Sequence, residues 1–438
     1  MARKMKDSGI EWIGEIPEGW EIVKIKYGVT KVGSGKTPSG GAEVYTDCGV
    51  LFLRSQNIYD CSLVLDNPTY ISYETDLTMK STRILPNDIL LNITGASIGR
   101  CCVVPETLGP ANVSQHVCII RTNPEFFLPK FMQYFWVSHL GRYAISLFQT
   151  GGNREGLSFD AIRNTPIPYI SIPEQSKIIT YLDSECSRID VMLSKTRSSI
   201  EEYKKLKQTV ITQAVTKGVR GEREMKDSGV EWIGKIPREF DPVQLKFFCK
   251  LITDGTHFSP TTVENGWPYI TAGDVHGIGL DYNSAKRISE EDFQLLVAQG
   301  CQPLKGDVLL VKDGATTGRV GFVDSDTPCV ILSSVAMLRP ADNTDGHYLM
   351  YLLASDFLQK QILVSMTGSA MPRTTLTKLT KYIGLLPPLH EQKEIANYLD
   401  AKCAEIDKLI AKKEQLVKEL ESYKKSLIYE VVTGKREV

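Results

Sequence analysis

One stretch of this chain occurs twice, almost unchanged. Residues 5–17 read MKDSGIEWIGEIP and residues 225–237 read MKDSGVEWIGKIP, so eleven of thirteen positions are identical at an offset of 220. DILLNITGASIGR, which starts at Asp88, returns as DVLLVKDGATTGR, which starts at Asp307. Solenoid repeats are only about 20 to 50 residues long. The spacing therefore predicts two copies of a whole domain.

A long amphipathic helix is predicted to close each copy. EQSKIITYLDSECSRID from Glu174 recurs as EQKEIANYLDAKCAEID from Glu391. Apolar residues alternate at spacings of four and three, which is the pattern of a coiled-coil seam. The gaps in this seam are Thr196 and Lys207 in the first copy and Lys413 and Lys424 in the second. Chain order requires the helices to be antiparallel if they pack together.

The globular parts mix strands and short helices. Short β-rich runs such as Val50–Leu53 and Val308–Val311 alternate with turns rich in Gly, Pro and Asn. Helical patterns follow at residues 128–147 and 348–364. We predict an α+β fold with two globular domains, related by a pseudo-two-fold axis and separated by the antiparallel helix pair. The predicted divisions are residues 1–173, 174–220, 221–390 and 391–438.

Composition excludes several classes of protein. No apolar run approaches the ~20 residues of a membrane span, and we expect a cytoplasmic protein. The ten cysteines include no C-x-x-C pair, which argues against a zinc knuckle or a disulfide framework. The net charge of -1 gives no global sign of nucleic-acid binding. DNA binding would have to come from local patches.

Motifs for catalysis are not found. VGSGKT at residues 32–37 lacks the earlier glycine of a phosphate-binding loop, and Pro38 follows it directly. The six histidines are isolated, and no carboxylates have metal-ligand spacing. We therefore predict no catalytic residue and no metal site.

Gly-Ala-x-x-Gly-Arg occurs in both copies, at residues 95–100 and 314–319. Two glycines after a buried strand let the backbone turn tightly and approach a ligand, and the arginine can bind a phosphate or a guanine edge. The alternative is a hairpin turn with a surface arginine. Both remain open at this point, as they do for Arg154-x-x-Leu157 and Arg373-x-x-Leu376.

These residues resemble the specificity subunit of type I restriction-modification systems over essentially the whole chain. The resemblance rests on the repeated segment at residues 7–17 and 227–237, Gly-Ala-x-x-Gly-Arg, Asp254-Gly-Thr-His257, and Pro-x-x-Glu-Gln-x-x-Ile before the second helix. The first copy departs from the pattern at Gly35-Lys-Thr37, and Ser171-Ile-Pro-Glu-Gln175 lacks the double proline of the second.

The resemblance implies a non-catalytic, sequence-specific DNA-binding subunit of a larger enzyme. Its two target-recognition domains would each read one half of a bipartite, asymmetric site on double-stranded DNA. The helices would set the spacer and dock two methyltransferase subunits, and restriction/translocase subunits would join them. S-adenosylmethionine, ATP and Mg would be bound by those partners, and this chain would carry no cofactor. The alternatives are a protein-binding scaffold without DNA contact, or a fused methyltransferase-specificity chain.

Polar residues expected in loops are the candidate DNA contacts. In the first copy they are Lys36, Arg54, Gln56, Asn57, Asn92, Arg100 and Arg154. In the second they are Thr256, His257, Lys312, Thr316, Arg319 and Arg373. Phosphate contacts are expected to position the domains and base contacts to specify the sequence.

Overall fold

The computed structural model describes residues 3–150, 156–276, 278–366 and 372–438. The chain divides into two compact units: unit 1 contains Met1–Thr196 with Gln415–Val438, and unit 2 contains Arg197–Glu414. Each unit consists of one globular part and segments of both long helices. Within the described part of the chain, no helix is both long and apolar enough to span a bilayer.

Two four-stranded sheets form the centre of each globular part. In unit 1 an antiparallel sheet has the strand order Cys101–Val103, Ile89–Asn92, Val117–Thr122, Val29–Ser34. A mixed sheet has the order Ala111–Val113, Val50–Leu53, Tyr70–Ile71, Tyr45–Thr46, and its first two strands are parallel. Alternate residues of the antiparallel sheet lie in two different apolar clusters, so both of its faces are buried.

Unit 2 has the same sheet plan. Its antiparallel sheet has the order Cys249–Asp254, Val335–Pro340, Val308–Val311, Val320–Phe322. Its mixed sheet has the order Thr262–Val263, Lys286–Ile288, Trp267–Ile270, Val330–Ile331, and the last two strands are parallel. The prediction of an α+β domain in two copies is confirmed.

Short strands and helices surround these sheets. The remaining strands of unit 1 are Met5–Asp7, Glu15–Pro17, Glu21–Lys24, Ile58–Tyr59, Ser62–Leu63, Gln149–Thr150, Gly156–Leu157 and Pro166–Tyr169. Those of unit 2 are Met225–Asp227, Lys235–Pro237, Asp241–Gln244, Val275–His276, Gly279–Leu280 and Ile383–Leu386. The short α-helices are Tyr73–Thr78, Pro129–Val137, His139–Phe148 and Phe159–Asn164 in unit 1, and Glu290–Ala298, Gly346–Ala354, Asp356–Ser365 and Leu376–Leu379 in unit 2.

The helical stretches predicted at residues 128–147 and 348–364 are each broken once, at Ser138 and at Ser355. Both serines are almost completely buried and have extended backbone, with ψ of 166° and 147°. Each Oγ donates a hydrogen bond of 2.6 Å to the carbonyl three residues earlier, on Phe135 and Leu352. A serine hydroxyl competes with the helical backbone in this way, and the break gives two short helices instead of one.

The long helices are Ile172–Lys217, the first long helix, and Leu389–Val432, the second long helix. In unit 1 the early part of the first packs in the same apolar cluster as the late part of the second. In unit 2 the late part of the first packs with the early part of the second. The helices are therefore antiparallel, as predicted.

Charged residues occupy three of the four gaps in the apolar seam. In unit 1 the Lys424 ammonium lies 2.6 Å from the Asp190 carboxylate. In unit 2 Lys207 lies 2.6 Å from Asp407, and the Lys413 ammonium lies 5.7 Å from the centre of the Tyr203 ring. The same lysine–aspartate pair thus forms once in each unit.

Candidate nucleic-acid interface

Several strands of unit 1 end at one edge of its globular part. The sheet register places Ser34, Asn92 and Val117 at the same end of the antiparallel sheet. One backbone bond connects this end to the mixed sheet, because Lys36 N donates to Val113 O at 3.1 Å, and a second, from Ser114 N to Leu53 O at 2.9 Å, continues the parallel pair of the mixed sheet at the same point. Both sheets therefore present their terminal residues at one place. The first strand-end cluster consists of Lys36, Arg54, Gln56, Asn92, Thr94, Ser114 and His116.

Unit 2 repeats this junction bond for bond. Thr256 N donates to Ile331 O at 3.1 Å, and Leu332 N donates to Ile270 O at 3.0 Å. The second strand-end cluster consists of Asp254, Thr256, His257, Lys312, Asp313, Ser334 and Arg373. The two clusters thus share a backbone frame and differ in their side chains.

A glycine marks the point where the backbones cross. A Cβ on Gly35 would lie 1.8 Å from Val113 O, and a Cβ on Gly255 would lie 1.9 Å from Ile331 O. Neither oxygen can move away, because each already accepts a backbone hydrogen bond. Only glycine fits this crossing in either copy.

The predicted residues of the first cluster differ in how accessible they are. Lys36 and Gln56 are exposed. The Arg54 guanidinium lies 5.6 Å from the centre of the Tyr45 ring and donates from Nη2 to Thr69 at 2.9 Å, while its Nε is buried without a partner among the described residues. The three side chains thus range from exposed, at Lys36 and Gln56, to partly buried, at Arg54.

Two of the predicted contacts lie in the interior. Asn57 is buried: its Oδ1 accepts from Arg54 N at 2.9 Å and its Nδ2 donates to Val64 O at 2.9 Å. Asp274 of unit 2 accepts from Thr271 N in the same way at 2.7 Å. Asn92 ends a strand and is fully buried, so its expected position in a loop is wrong; its Nδ2 donates to Ser55 O at 2.8 Å and to Ser97 Oγ at 3.0 Å. Both asparagines hold the loops that carry the exposed residues.

The second cluster contains a charge network around one buried lysine. Lys312 lies just after the end of a strand, as expected for a loop residue, but its side chain is buried and only 6% exposed. Its ammonium lies 2.8 Å from Asp313 Oδ2 and 3.3 Å from Asp254 Oδ2. The exposed Arg373 contributes a further ion pair, with Nε 3.6 Å from Asp313 Oδ1. His257 is exposed, whereas Thr256 is buried and accepts from Phe258 N at 2.9 Å.

The glycines of Gly-Ala-x-x-Gly-Arg adopt left-handed backbone, with φ of 75° and 98° at Gly95 and Gly314. The second glycine of each loop approaches the chain's own helices: a Cβ on Gly99 would meet Arg142 at 2.3 Å, and one on Gly318 would meet Gln359 at 2.5 Å. These close approaches replace the expected approach to a ligand at those two positions. The half-buried Thr316 accepts from Arg319 N at 3.1 Å and so closes the loop of unit 2.

The two arginines of this motif have different surroundings. The Arg100 guanidinium lies 4.5 Å from the centre of the Tyr59 ring. Arg319 is exposed and lines an open groove of about 510 Å³, together with Lys204, Lys207 and Gln208 of the first long helix. Contact of either arginine with DNA stays a prediction.

Arg154 lies outside the described residues. The two Arg-x-x-Leu segments are nevertheless not equivalent, because the β-bridges pair Thr94 with Gly156 and Asp313 with Arg373. Gly156 is thus the first-copy counterpart of Arg373.

Sequence reasoning missed Thr94 and His116, which are hydrogen-bonded at 2.7 Å, and Asp254 and Asp313. The available signal was position: Thr94 and Asp313 directly precede the glycine loop in both copies. Ser114 Oγ and Ser334 Oγ are buried without a partner in the described part of the chain. Among the described residues, no group of three or more His, Cys, Asp or Glu side chains could hold a metal ion.

Comparison with known proteins identifies what this chain is similar to. A family model described as "Type I restriction modification DNA specificity domain" matches residues 17–202 and again residues 237–419. The type I restriction enzyme MjaVIII specificity subunit of Methanocaldococcus jannaschii is 24% identical over 431 residues, which cover 96% of this chain and 93% of that protein.

Solved structures have the same fold. A chain from work on complex assembly and conformational transition of the type I R-M system covers 95% of this chain and 98% of its own length, with a TM-score of 0.73 and 19% identity. The HsdS subunit from Thermoanaerobacter tengcongensis covers 96% of this chain and 98% of its own length, with a TM-score of 0.51 and 19% identity.

Proposed function

Because the chain belongs to the family of type I restriction-modification DNA specificity proteins, we propose that each of its units reads one half of a bipartite, asymmetric DNA site. One observation carries this proposal: the two strand-end clusters share their backbone hydrogen bonds and differ in nearly every side chain. Equal frames with different donors and acceptors suit two ligands of one class. Two unequal stretches of a DNA duplex are such ligands.

In each cluster the exposed residues contact DNA and the buried residues support them. Lys36, Gln56, His257 and Arg373 are exposed and bind phosphates or base edges, with Arg54, Arg100, Arg319 and Thr316 as further contacts. Asn57, Asn92, Thr256 and Lys312 act beneath them and fix the loops that meet DNA. The phosphate contacts set the register of each domain, and the base contacts select the sequence.

The chain is the non-catalytic subunit of its complex. The long helices dock two methyltransferase subunits and fix the spacing of the half-sites at about one helical turn, the ~34 Å at which paired major-groove readers bind. Those subunits bind S-adenosylmethionine and methylate adenine, and restriction/translocase subunits use ATP and Mg. The complex acts on chromosomal and invading DNA in the cytoplasm.

Mapping methylated adenines in cells with and without this chain tests the proposal. We expect a single bipartite motif that disappears when the chain is removed. Retention of a duplex with this motif by the purified complex, and not of a duplex with one half-site scrambled, completes the test. A chain that only holds proteins together would leave retention insensitive to sequence, and a fused methyltransferase would methylate DNA when purified alone. Either result would contradict the proposal.

A further inference from the structure

Phe258 is an exposed aromatic residue at the second strand-end cluster. It directly follows Thr256 and His257, and it is 51% exposed. Its ring belongs to none of the apolar clusters that the described residues of unit 2 form. The phenyl group is therefore open to solvent, next to the exposed His257.

The loop that carries this ring is fixed at both ends. Thr256 N donates to Ile331 O at 3.1 Å, and Phe258 N donates to Thr256 Oγ1 at 2.9 Å. At the other end Thr261 N donates at 2.8 Å to Asp292 Oδ2, in the first turn of a helix. Single exposed apolar side chains are common on protein surfaces. Here the backbone is held in place, so a ligand that covers the ring orders little additional chain.

The first copy has a different apolar residue at this position. Lys36 N and Thr256 N make equivalent backbone bonds, and two residues later unit 1 has Pro38 where unit 2 has Phe258. Pro38 is buried, whereas Phe258 is exposed. The same position thus faces the interior in one unit and presents a ring to the outside in the other. Such a difference is what two unequal half-sites require.

The chemistry of the ring restricts what it can recognise on DNA. On the base edges of the major groove the apolar group is the C5 methyl of thymine, and phenylalanine is among the side chains that contact it. Phenylalanine also acts as a wedge in the minor groove, which is only about 6 Å wide. One strand separates those that end at Asp254 and Val311, so this surface is about 10 Å across. It fits the wider major groove.

We propose that Phe258 is a specificity-determining residue, and that its ring contacts the C5 methyl of a thymine in the major groove of one half-site. The assignment rests on the proposed function of unit 2 as the reader of that half-site. It identifies one base pair of the half-site as A·T and fixes the strand that carries the thymine, because only thymine has this methyl group.

Replacement of thymine by uracil tests the contact, because it removes the C5 methyl and leaves base pairing intact. The full-length chain, assembled with its methyltransferase subunits, is titrated with a duplex that carries its motif, and each thymine on either strand is replaced in turn. One replacement should weaken binding by the wild type roughly fourfold, the loss expected for one buried methyl group. Phe258→Ala should bind the unmodified duplex more weakly and be insensitive to that same replacement.

Phe247→Ala is the matched control. Phe247 is also an exposed phenylalanine, at 57%, but it lies just before the strand Cys249–Asp254, at the end opposite the cluster. This variant should keep the fourfold effect seen with the wild type. Phe258→Gln is a second test variant, which keeps a long side chain without the apolar ring. It should behave as Phe258→Ala does, even if the alanine variant fails to assemble.

The outcomes distinguish this contact from the proposed function. If the wild-type complex binds no duplex sequence-specifically, the proposed function fails. If it binds a bipartite motif but no uracil replacement weakens binding, or if both Phe258 variants keep the wild-type sensitivity, the Phe258 contact alone is overturned. It is also overturned if 2-aminopurine in the motif becomes brighter with the wild type and not with Phe258→Ala, since the ring would then insert between base pairs.

Discussion

Asp88 and Asp307 show what a buried charge does at the residue scale. Each is at most 2% exposed and accepts hydrogen bonds on both oxygens from one guanidinium, of Arg121 in unit 1 and of Arg339 in unit 2. Hydrogen bonding to the carboxylate raises the pKa of both arginines further above its ordinary value. These pairs link the central strands of each antiparallel sheet at the end opposite the clusters.

Arg121→Met should destabilise unit 1 by about 3 kcal/mol, the lower end of the range for breaking a buried ion pair. The lower end applies because the Arg121 side chain is 31% exposed. Denaturant unfolding measures the effect. Arg188→Met is the control, since its i,i+3 pair with Glu185 lies on an exposed helix face and should change stability by less than about 0.5 kcal/mol. Equal losses in both variants would contradict the assigned role.

Cysteine reactivity gives a second prediction at this scale. Cys48 and Cys61 are both surface residues, but burial of the thiol, helped by the neighbouring Asp60, raises the pKa of Cys61 to about 12. At pH 8 the Cys61 thiol would therefore stay protonated, and the thiolate is the reactive form. Iodoacetamide should therefore modify Cys48 first, as mass spectrometry of the peptides can measure. Equal rates at the two sites would mean that the Cys61 thiol is not shielded.

The sequence predicted the strands and turns of the site more accurately than the exposure of its side chains. Strand ends before the glycine loops were located correctly, because buried apolar runs and glycine pairs are local signals. Asn57 and Lys312 were assigned to the surface because their polarity suggested it. Their partners, Val64 O and Asp254, lie 7 and 58 residues away in the chain. Such pairing depends on tertiary structure that no local pattern contains.

At the scale of elements, one glutamine anchors each long helix to its globular part. Gln175 Oε1 accepts from Leu128 N at 2.8 Å, and its Nε2 donates to Phe126 O and Ile170 O. Gln392 makes the same three bonds, to Asp345 N, Asn343 O and Pro387 O. Each glutamine is fully buried. The helix starts are therefore fixed, which explains why the Glu-Gln pair recurs in both copies.

Gln175→Met removes three hydrogen bonds and leaves their backbone partners unsatisfied, so unit 1 should lose about 2 to 4 kcal/mol of stability. Gln392→Met should do the same in unit 2. Hydrogen exchange can assign each loss to its own unit. Gln415→Met, on an exposed helix position, is the neutral comparison. A loss spread evenly over both units from either variant would argue against local anchoring.

The starts of the long helices, predicted at residues 174 and 391, lie within two residues of the observed ones, because the heptad pattern and the preceding prolines are local signals. The breaks at Ser138 and Ser355 were not predicted. A serine in an apolar helical pattern is ordinarily tolerated, and only the extended backbone and the buried hydroxyl bond distinguish these two. The structure explains two of the charged residues in the apolar seam, because Lys424 pairs with Asp190 and Lys207 pairs with Asp407.

At the scale of the whole molecule, the proposed function makes the two units, joined by the long helices, independent readers of DNA. Four residues inserted near Ile200 lengthen the first long helix by about 6 Å, which corresponds to at most about two base pairs of DNA. The methylated motif should gain a longer spacer and keep both half-sites. Sequencing of methylated DNA checks this. Altered half-sites would mean that the two units do not read independently, and replacement of Ile200 by Leu is the control without a length change.

The glycine crossing at Gly35 and Gly255 has a consequence for how such a protein can evolve. Carbonyl oxygens block any side chain at this point, so a substitution here should damage the frame whatever sequence is being read. Around it, Thr94 has become Asp313 and Lys36 has become Thr256 while the same backbone bonds persist. Under the proposed function, target preference can change through substitutions around this point while the backbone bonds persist. The fixed backbone at the glycine crossing is what allows the side chains around it to vary.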